Sequence, residues 1–234
     1  MTRHALITGA SSGIGRAMAL TLAKADYRVT ATGRDPAALA QLEAQGIETL
    51  RVDLSAADAM AVFDGLAPDV LVLNAGTTAP PGPLTSLTPT QILETVAVNV
   101  TAPMLVSRRL LPAMRARGAG HLVFVSSVAA HMPAPGSAVY SATKAAVASF
   151  AQSLRAELAP EGFRVTEIVA GRVQTALYRQ ALSDEGRARL YDGPPVVQPD
   201  DIAQMLLAVL SMPSTTNVSR FDIVPTYPVK PLSP

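Results

Sequence analysis

A tyrosine and a lysine spaced four residues apart are the side chains of this sequence best suited to chemistry. Tyr140 and Lys144 share one face if their segment is helical, because residues i and i+4 lie one turn apart. A phenol titrates at about pH 10, and an ammonium one turn away stabilises the phenolate and lowers the pKa of the phenol. Ser127, thirteen residues before Tyr140, can hold a carbonyl oxygen beside the phenol. The three residues predict reversible proton transfer at a carbonyl or alcohol, although the Tyr–Lys pair taken alone also fits a chance surface pair.

The beginning of the chain predicts a turn that binds phosphate. Residues 4–8 are an apolar run suited to a buried strand, and residues 16–23 have helical periodicity with strong helix formers. Between them lies TGASSGIG, residues 8–15. Its glycines allow a tight turn, and the free N–H groups at the start of the helix then face an anion. An ordinary tight turn stays open, because Gly-x3-Gly-x-Gly differs from the commoner dinucleotide pattern.

Five features of the chain have the order and spacing of a known family. They are TGASSGIG, the LNAG motif at 73–76, Asn99, Ser127 and YSATK at 140–144. On these motifs the sequence resembles the short-chain dehydrogenase/reductase family over essentially its whole length. Its C-terminal part, from DIAQMLLAVLSMP to FDIVPT, resembles a bacterial branch of NADP-dependent hydroxy-acid dehydrogenases and aldehyde reductases.

The resemblance implies an oxidoreductase that transfers a hydride between a nicotinamide cofactor and a small aldehyde, ketone or hydroxy acid. Tyr140 would be the acid in reduction and the base in oxidation, and Lys144 would also bind the nicotinamide ribose. Ser127 would polarise the carbonyl, and Asn99 would support a proton relay through a water on its backbone carbonyl. Ser127 is preferred over Ser126 because successive side chains of a strand point in opposite directions, so Ser126→Ala should be the milder change.

Asn99 also has a physical reason to offer a free carbonyl. Pro103, four residues later in a long helical segment, has no N–H to donate to it. A disruption of the helix is expected there, with water as a partner for the carbonyl. Pro103 could instead only bend the helix around the core, and the two interpretations are compatible.

Cofactor contacts implied by the resemblance run along most of the chain. Asp53 would accept from the adenine amine, with a turn or N-cap aspartate as the alternative. Leu73 and Ala170 depart from the family, which usually has asparagine and proline there, and the geometry near Gly171 is therefore less constrained. The expected contacts are Gly9, Ser11, Ser12, Gly13, Ile14, Gly15, Gly33, Arg34, Asp53, Leu54, Asn74, Ala75, Gly76, Tyr140, Lys144, Gly171, Val173 and Thr175.

The end of the second predicted strand favours NADP over NAD. An NAD enzyme would usually place an acid on the adenosine ribose where this chain has Gly33, followed by Arg34. A glycine leaves room for a 2′-phosphate, and a guanidinium can bind it with paired hydrogen bonds. Asp35 is the rival acid, but Asp35-Pro36 suits the N-cap and first turn of a helix. A solvated surface arginine is the alternative for Arg34.

Composition predicts one α/β domain over residues 1–234 in the cytoplasm. No apolar run approaches the roughly 18 residues of a membrane span, and the first strand leaves no room for a signal peptide. A net charge of +1 does not indicate nucleic acid or acidic membranes as partners. Without cysteine there are no disulfides, and no metal is expected because His4, His121 and His131 lack ligand spacing. His4 and His121 are expected at strand starts, and His131 in a solvated loop or beside the substrate.

Strand and helix patterns alternate along the chain, which predicts a Rossmann-type, doubly wound parallel sheet with helices on both faces. Long loops at 77–88 and 176–198 follow strands, and residues 176–198, the lid segment, are the candidate substrate lid. The expected strands are 4–8, 28–33, 47–52, 69–73, 120–126, 164–169 and 220–224. The expected helices are 13–25, 36–45, 56–66, 89–116, 137–159 and 199–211.

Helices 89–116 and 137–159 carry small or apolar residues on more than one face, which predicts a homodimer or homotetramer. Arg172 and Arg179 could bind a substrate carboxylate beside an apolar wall formed by Met132, Pro133, Pro135 and Val139. Alternatively, both arginines face solvent or pair with Asp184 or Glu185. Two other functions stay open. A 3-oxoacyl thioester reductase should have a basic docking patch, and no basic cluster is evident; an NADP-binding regulator would bind without turnover.

Overall fold

The computed structural model describes residues 2–178, 182–193 and 195–227 of the chain. In this part of the chain seven strands form one sheet in the order β3-β2-β1-β4-β5-β6-β7, and every neighbouring pair is parallel. The strands are β1 (His4–Ile7), β2 (Arg28–Gly33), β3 (Glu48–Arg51), β4 (Val70–Leu73), β5 (His121–Ser127), β6 (Arg164–Ala170) and β7 (Arg220–Ile223). The predicted doubly wound sheet is confirmed, and His4 and His121 begin strands as expected.

The α-helices cover both faces of the sheet. They are α1 (Gly13–Lys24), α2 (Pro36–Glu43), α3 (Pro89–Val96), α4 (Ala102–Ala116), α5 (Ala138–Leu158), α6 (Asp184–Tyr191) and α7 (Pro199–Leu210). Alternation along β1 separates two cores, because Ile7 packs with α1 and α7 whereas Leu6 packs with α4 and α5. The sheet is therefore apolar on both faces, as parallel sheets usually are.

Two expected helices differ from the structure. Residues 56–66 form only a 3₁₀ helix, Ala59–Phe63, in which Ala59 and Phe63 are the buried residues. One buried turn gives too little packing to stabilise a longer helix, and Gly65 leaves the helical region with a φ of 76°. Residues 89–116 form α3 and α4, joined by a π-helical turn at Ala97–Thr101. The lid segment contains α6, which the sequence did not predict. A bridge between Val173, just before this segment, and Val197, near its end, closes the segment at its base.

The order of the strands determines where a ligand can bind. β1 has β2 on one side and β4 on the other, so the loops that follow β1 and β4 diverge at the carboxyl edge of the sheet. Gly9, Asn74 and Gly171 follow β1, β4 and β6, and Ser127 ends β5. The predicted site residues thus meet at this edge. The 1–234 domain limits stay a prediction, because residues 1 and 228–234 lie outside the described part.

Candidate active site

A cleft of about 680 Å³ opens at the carboxyl edge of the sheet. This size suits a cofactor together with a small substrate. Two of the expected residues, Gly15 and Asn99, lie behind its wall. The predicted residues that line it are Gly9, Ser11, Ser12, Gly13, Ile14, Gly33, Arg34, Asp53, Leu54, Asn74, Ala75, Gly76, Ser127, Tyr140, Lys144, Gly171, Val173 and Thr175.

Glycines let the first turn pack tightly under the cleft. Gly9 has a φ of 67°, and a Cβ there would lie 2.7 Å from the Cα of Ala75. A Cβ at Gly15 would lie 2.4 Å from the Gly9 carbonyl oxygen and 2.4 Å from Nδ2 of Asn74. Gly15 therefore acts by allowing close packing of α1 on the loop after β4, without itself facing the cleft.

The start of α1 is suited to an anion. Ser12 is its N-cap residue, but its side chain makes no capping hydrogen bond, and the first turn contains no acid. Asp35 and Thr88, by contrast, cap α2 and α3 with their side chains. Ser12, Gly13 and Ile14 line the cleft at this end of α1, and the first N–H groups of a helix are suited to a pyrophosphate. The residues present therefore fit a dinucleotide cofactor.

Thr8 joins the two loops that form the floor of the cleft. Its hydroxyl oxygen accepts hydrogen bonds from the N–H groups of Asn74 (3.0 Å) and Ala75 (3.1 Å). The Asn74 side-chain amide donates in return to the carbonyls of Thr8 (3.0 Å) and Gly9 (3.1 Å). Thr8 was not among the predicted site residues, although it begins the TGASSGIG motif.

The end of β2 differs from the expectation in one detail. A Cβ at Gly33 would lie 2.8 Å from Cβ of Ser11, so the space over the glycine is occupied by the serine and not left open. Ser11 and Arg34 border the cleft beside it. Asp35 caps α2 by accepting from the N–H groups of Ala37 (2.9 Å) and Ala38 (3.2 Å), which confirms its predicted capping role.

Asp53 shapes a turn at the edge of the cleft. Its carboxylate accepts from the N–H (3.0 Å) and hydroxyl (2.7 Å) of Ser55. The hydrogen bond from the Ser55 hydroxyl lowers the pKa of the Asp53 carboxyl group most, followed by that from the Ser55 N–H. Desolvation partly opposes this effect, and the positive charge of Arg34 lowers the pKa further. Asp53 therefore forms the turn that the sequence offered as the alternative, and it also lines the cleft.

Tyr140 and Lys144 lie one turn apart on α5 and both line the cleft. Nζ of Lys144 is 5.8 Å from the centre of the Tyr140 ring and donates a 2.9 Å hydrogen bond to the Val125 carbonyl. Lys144 is only 5% exposed, and burial lowers its pKa to about 8. The lysine is therefore held rigidly beside the phenol at the end of β5.

The two serines of β5 have different environments. The Ser126 hydroxyl lies 3.5 Å from the carbonyl oxygen of Lys144, at the limit of a hydrogen bond. The Ser127 hydroxyl oxygen accepts a 3.2 Å hydrogen bond from the N–H of Ala129. With that bond made, the hydroxyl proton of Ser127 is available to donate to another oxygen. Both serines border the cleft, and the Ser127 hydroxyl can act there as a donor.

Asn99 is buried in the π-helical turn, where the expected disruption of the helix occurs. Its side chain binds the backbone of Thr77 twice, through Oδ1 (2.8 Å) and Nδ2 (2.9 Å), and donates to the Thr143 hydroxyl (3.0 Å). The side chain thus joins the loop after β4 to α5, and Gly76 lies between it and Lys144. A π turn inside an α-helix is common at functional sites.

The apolar residues expected to form a wall of the substrate pocket do not line the cleft in the described part of the chain. Arg172 lines the cleft, but Met132, Pro133, Pro135 and Val139 are not among the described residues that do so. Met132 is 76% exposed, since the turn after Ser127 carries it outward. Arg179 lies outside the described residues.

His131 is an exposed residue of the loop after Ser127, and it is not among the described residues that line the cleft. Its Nε2 lies 3.2 Å from Oε1 of Glu167, a residue of β6 that is 1% exposed. The contact joins the loop after Ser127 to the inside of the sheet.

A family model described as short chain dehydrogenase matches residues 3–186 of the chain. The chain belongs to the short-chain dehydrogenase/reductase family. This makes it a member of a family of oxidoreductases, and the family resemblance stated from the motifs is confirmed.

Relatives in the family match nearly the whole chain. An uncharacterized short-chain type dehydrogenase/reductase of Sinorhizobium fredii is 42% identical over 95% of this chain and 91% of that protein. A probable NADP-dependent dehydrogenase of Haemophilus influenzae is 33% identical over 96% of this chain and 94% of that protein. Among solved structures, the closed form of a serine dehydrogenase complexed with NADP⁺ has a TM-score of 0.91 and 26% identity, over 95% of this chain and 94% of that chain.

Family motifs do not include every residue that lines the cleft. Glu94 and Val98, one turn apart before Asn99, face it as well, and no motif indicated them. Gly171, which follows the unusual Ala170, packs closely on β7. Its N–H donates to the Ile223 carbonyl (2.8 Å), and a Cβ at Gly171 would lie 3.0 Å from that oxygen. Close packing on β7 therefore constrains the backbone at Gly171, directly after Ala170.

Within residues 2–178, 182–193 and 195–227, no helix combines the length and apolar character that crossing a lipid bilayer requires. The same part of the chain contains no group of three or more His, Asp or Glu residues that could hold a metal ion.

Proposed function

We propose that the protein is an NADP(H)-dependent oxidoreductase that interconverts a small carbonyl compound and its alcohol. The observation that carries the proposal is the meeting of Ser127, Tyr140 and Lys144 at one end of a cleft whose other parts fit a dinucleotide. The three side chains come from β5 and α5, both of which are anchored in the core. A rigid arrangement of a hydroxyl, a phenol and an ammonium is suited to proton transfer at an oxygen.

The bound cofactor supplies or accepts a hydride at C4 of its nicotinamide ring. In reduction, Ser127 donates a hydrogen bond to the substrate oxygen, and Tyr140 delivers the proton that this oxygen takes up. Lys144 favours the phenolate that Tyr140 leaves behind, because an opposite charge stabilises the ionised form. In oxidation the phenolate removes the hydroxyl proton of the alcohol. Asn99 holds the loop after β4 against α5, which keeps the lysine and the wall of the cleft in register.

NADP is the proposed preference over NAD. Asp35, the nearest acid to the end of β2, is engaged in capping α2, whereas Ser11 and Arg34 border the cleft at Gly33. A hydroxyl and a guanidinium at this place are suited to the 2′-phosphate of NADP. The NADP⁺ complex of the similar serine dehydrogenase supports this assignment.

A small substrate with a carboxylate is proposed for the remaining part of the cleft. Arg172 lines the cleft directly after Gly171, and a guanidinium can bind a carboxylate through two parallel hydrogen bonds. Serine, which names the similar dehydrogenase of known structure, is itself such a compound. We propose that the protein acts in the cytoplasm, where NADPH is available.

Tyr140→Phe tests the proposal, because this change removes only the proton-transfer group. We expect the variant to bind NADPH as the parent does and to lose at least about a hundredfold in kcat, the usual contribution of a general acid. Oxidation of NADPH with a panel of aldehydes and keto acids measures the rate, and fluorescence titration measures binding. Tyr27→Phe, far from the cleft, is the control.

Near-normal turnover by Tyr140→Phe would refute the mechanism. Cofactor binding by the parent without turnover of any compound in a broad panel would instead favour an NADP-binding regulator.

A further inference from the structure

Glu167 is a buried acid that the proposed chemistry does not use. It is 1% exposed and lies on β6, paired in register with Phe124 of β5. An ionised carboxylate in such a place is costly unless hydrogen bonds compensate the lost water. Arg220 is its register partner on β7, but the Arg220 guanidinium binds Asp222. Among the described residues, the side chain that lies within hydrogen-bond distance of Glu167 is His131, with 3.2 Å between Nε2 and Oε1, while Arg220 interacts with Glu167 electrostatically.

His131 ends a short turn that begins at Ser127. Val128–Ala130 form one turn of 3₁₀ helix with Ser127 as the N-cap and His131 as the C-cap. The N–H groups of His131 (3.0 Å) and Met132 (2.8 Å) both bind the Val128 carbonyl, which closes the turn. The imidazole on Glu167 therefore fixes the far end of the turn to a strand inside the sheet.

The near end of this turn orients the Ser127 hydroxyl. The N–H of Ala129 donates to the Ser127 oxygen, and the hydroxyl proton of Ser127 can then be donated to a substrate oxygen in the cleft. If the turn shifts, the Ala129 N–H shifts with it, and Ser127 loses its direction. A chain of contacts thus runs from Glu167 through His131 and Ala129 to Ser127.

We propose that His131 and Glu167 are positioning residues that hold Ser127 as a hydrogen-bond donor to the substrate. The proposal rests on the catalytic role assigned to Ser127 above. It adds that the direction of the Ser127 hydroxyl is maintained by a buried acid on the neighbouring strand, outside the cleft.

The first experiment compares His131→Ala, His131→Gln and Met132→Ala. His131→Ala should lower kcat by about ten- to a hundredfold, the cost of a small misplacement in a catalytic site, with an unchanged Kd for NADPH. His131→Gln should recover most of the loss, because its amide can still donate to Glu167. Met132→Ala, a change at an exposed neighbour, should have parent-like kcat. If His131→Ala keeps the parent kcat, or if glutamine recovers nothing, the proposal is wrong.

A double-mutant cycle with Ser127→Ala separates positioning from a general loss of structure. If His131 acts through Ser127, His131→Ala should change the residual rate of the Ser127→Ala protein by less than about twofold. The same loss in both backgrounds would overturn the proposal and leave the function of the site intact. A Ser127→Ala protein with parent-like turnover would instead refute the catalytic role of Ser127 itself. Glu167→Gln changes the other end of the same contact. It should lower kcat in the parent and change the residual rate of the Ser127→Ala protein by less than about twofold.

Discussion

Lys144 has an effect on stability as well as a proposed effect on catalysis. Burial lowers its pKa to about 8 in the folded protein, whereas the unfolded chain retains the ordinary value of 10.5. Below the lower value both states carry the proton, and the fold bears the full cost of burying the charge. Between the two values the folded lysine is neutral while the unfolded one still binds a proton. Stability should therefore rise with pH in this window.

We expect the free energy of unfolding to rise by roughly 2 kcal/mol between about pH 7.5 and about pH 9.5 through Lys144. Denaturant titrations of the cofactor-free protein at the two pH values measure the change. Lys144→Met, which fills the same space without charge, is the matched variant in which this contribution should disappear. The prediction fails if the pH dependence of the two proteins is the same, and a fall in stability only in the parent would reverse the sign argued here.

Arg34 should determine the choice of cofactor. Arg34→Ala removes a guanidinium from the place proposed for the 2′-phosphate, where a charged hydrogen bond contributes about 1.5–3 kcal/mol. We expect kcat/KM for NADPH to fall by roughly ten- to a hundredfold and that for NADH to change by less than about threefold. Arg108→Ala, at an exposed arginine of α4, should change neither. An unmodified enzyme with the higher kcat/KM for NADH would show that the end of β2 had been interpreted wrongly.

Among the elements, the segment after β6 should determine which substrates bind. Arg172 lines the cleft on this segment, so a short keto or semialdehyde acid should be preferred over its uncharged methyl ester. We expect about a tenfold or larger preference in kcat/KM, and its loss in Arg172→Ala while Arg172→Lys retains part of it. Equal use of acid and ester by the parent would refute the proposal that the substrate carries a carboxylate. The protein would then be a general aldehyde or ketone reductase.

The sequence predicted the elements whose pattern is local and repeated. Every strand was found within about two residues of its bounds, because buried strands are short apolar runs between turns. The helix predicted at residues 56–66 was wrong. A helix of this length needs tertiary packing, and only one turn of this segment is buried. The polar α6 has no apolar stripe that periodicity could detect.

The site was predictable to the same degree and for the same reason. Tyr140 and Lys144 are one helical turn apart, and their spacing alone places them together. The contact between His131 and Glu167 joins residues 36 positions apart, and no local pattern relates them. Gly33 lines the cleft, but the neighbour of Gly33 that fills the space above it, Ser11, is not apparent from the local pattern. Such contacts depend on how elements pack, which a single sequence does not specify.

The whole molecule has two cores, one on each face of the sheet, and the cleft lies where the loops of both faces diverge. On α5, within the expected helix 137–159, Ala151 packs inside one of these cores, and Ala148 is buried as well. The outer surface of the same layer nevertheless carries exposed apolar residues. On α3 and α4, Leu93 is 68% exposed, Val96 38% and Leu105 41%. An exposed apolar face of this kind is typical of an interface between subunits.

We therefore expect the protein to be a homodimer or homotetramer that pairs through α3 and α4. Light scattering at micromolar concentration should give a mass of at least about twice the 24.3 kDa of one chain. Leu93→Glu places a charge in the middle of the apolar face, and it should shift the mass toward that of a single chain because burying an unpaired carboxylate is costly. Gln45→Glu adds the same charge at an exposed position just after α2, and it should leave the mass unchanged. A monomeric parent would contradict the prediction, and an oligomer that persists in Leu93→Glu would place the interface on another surface.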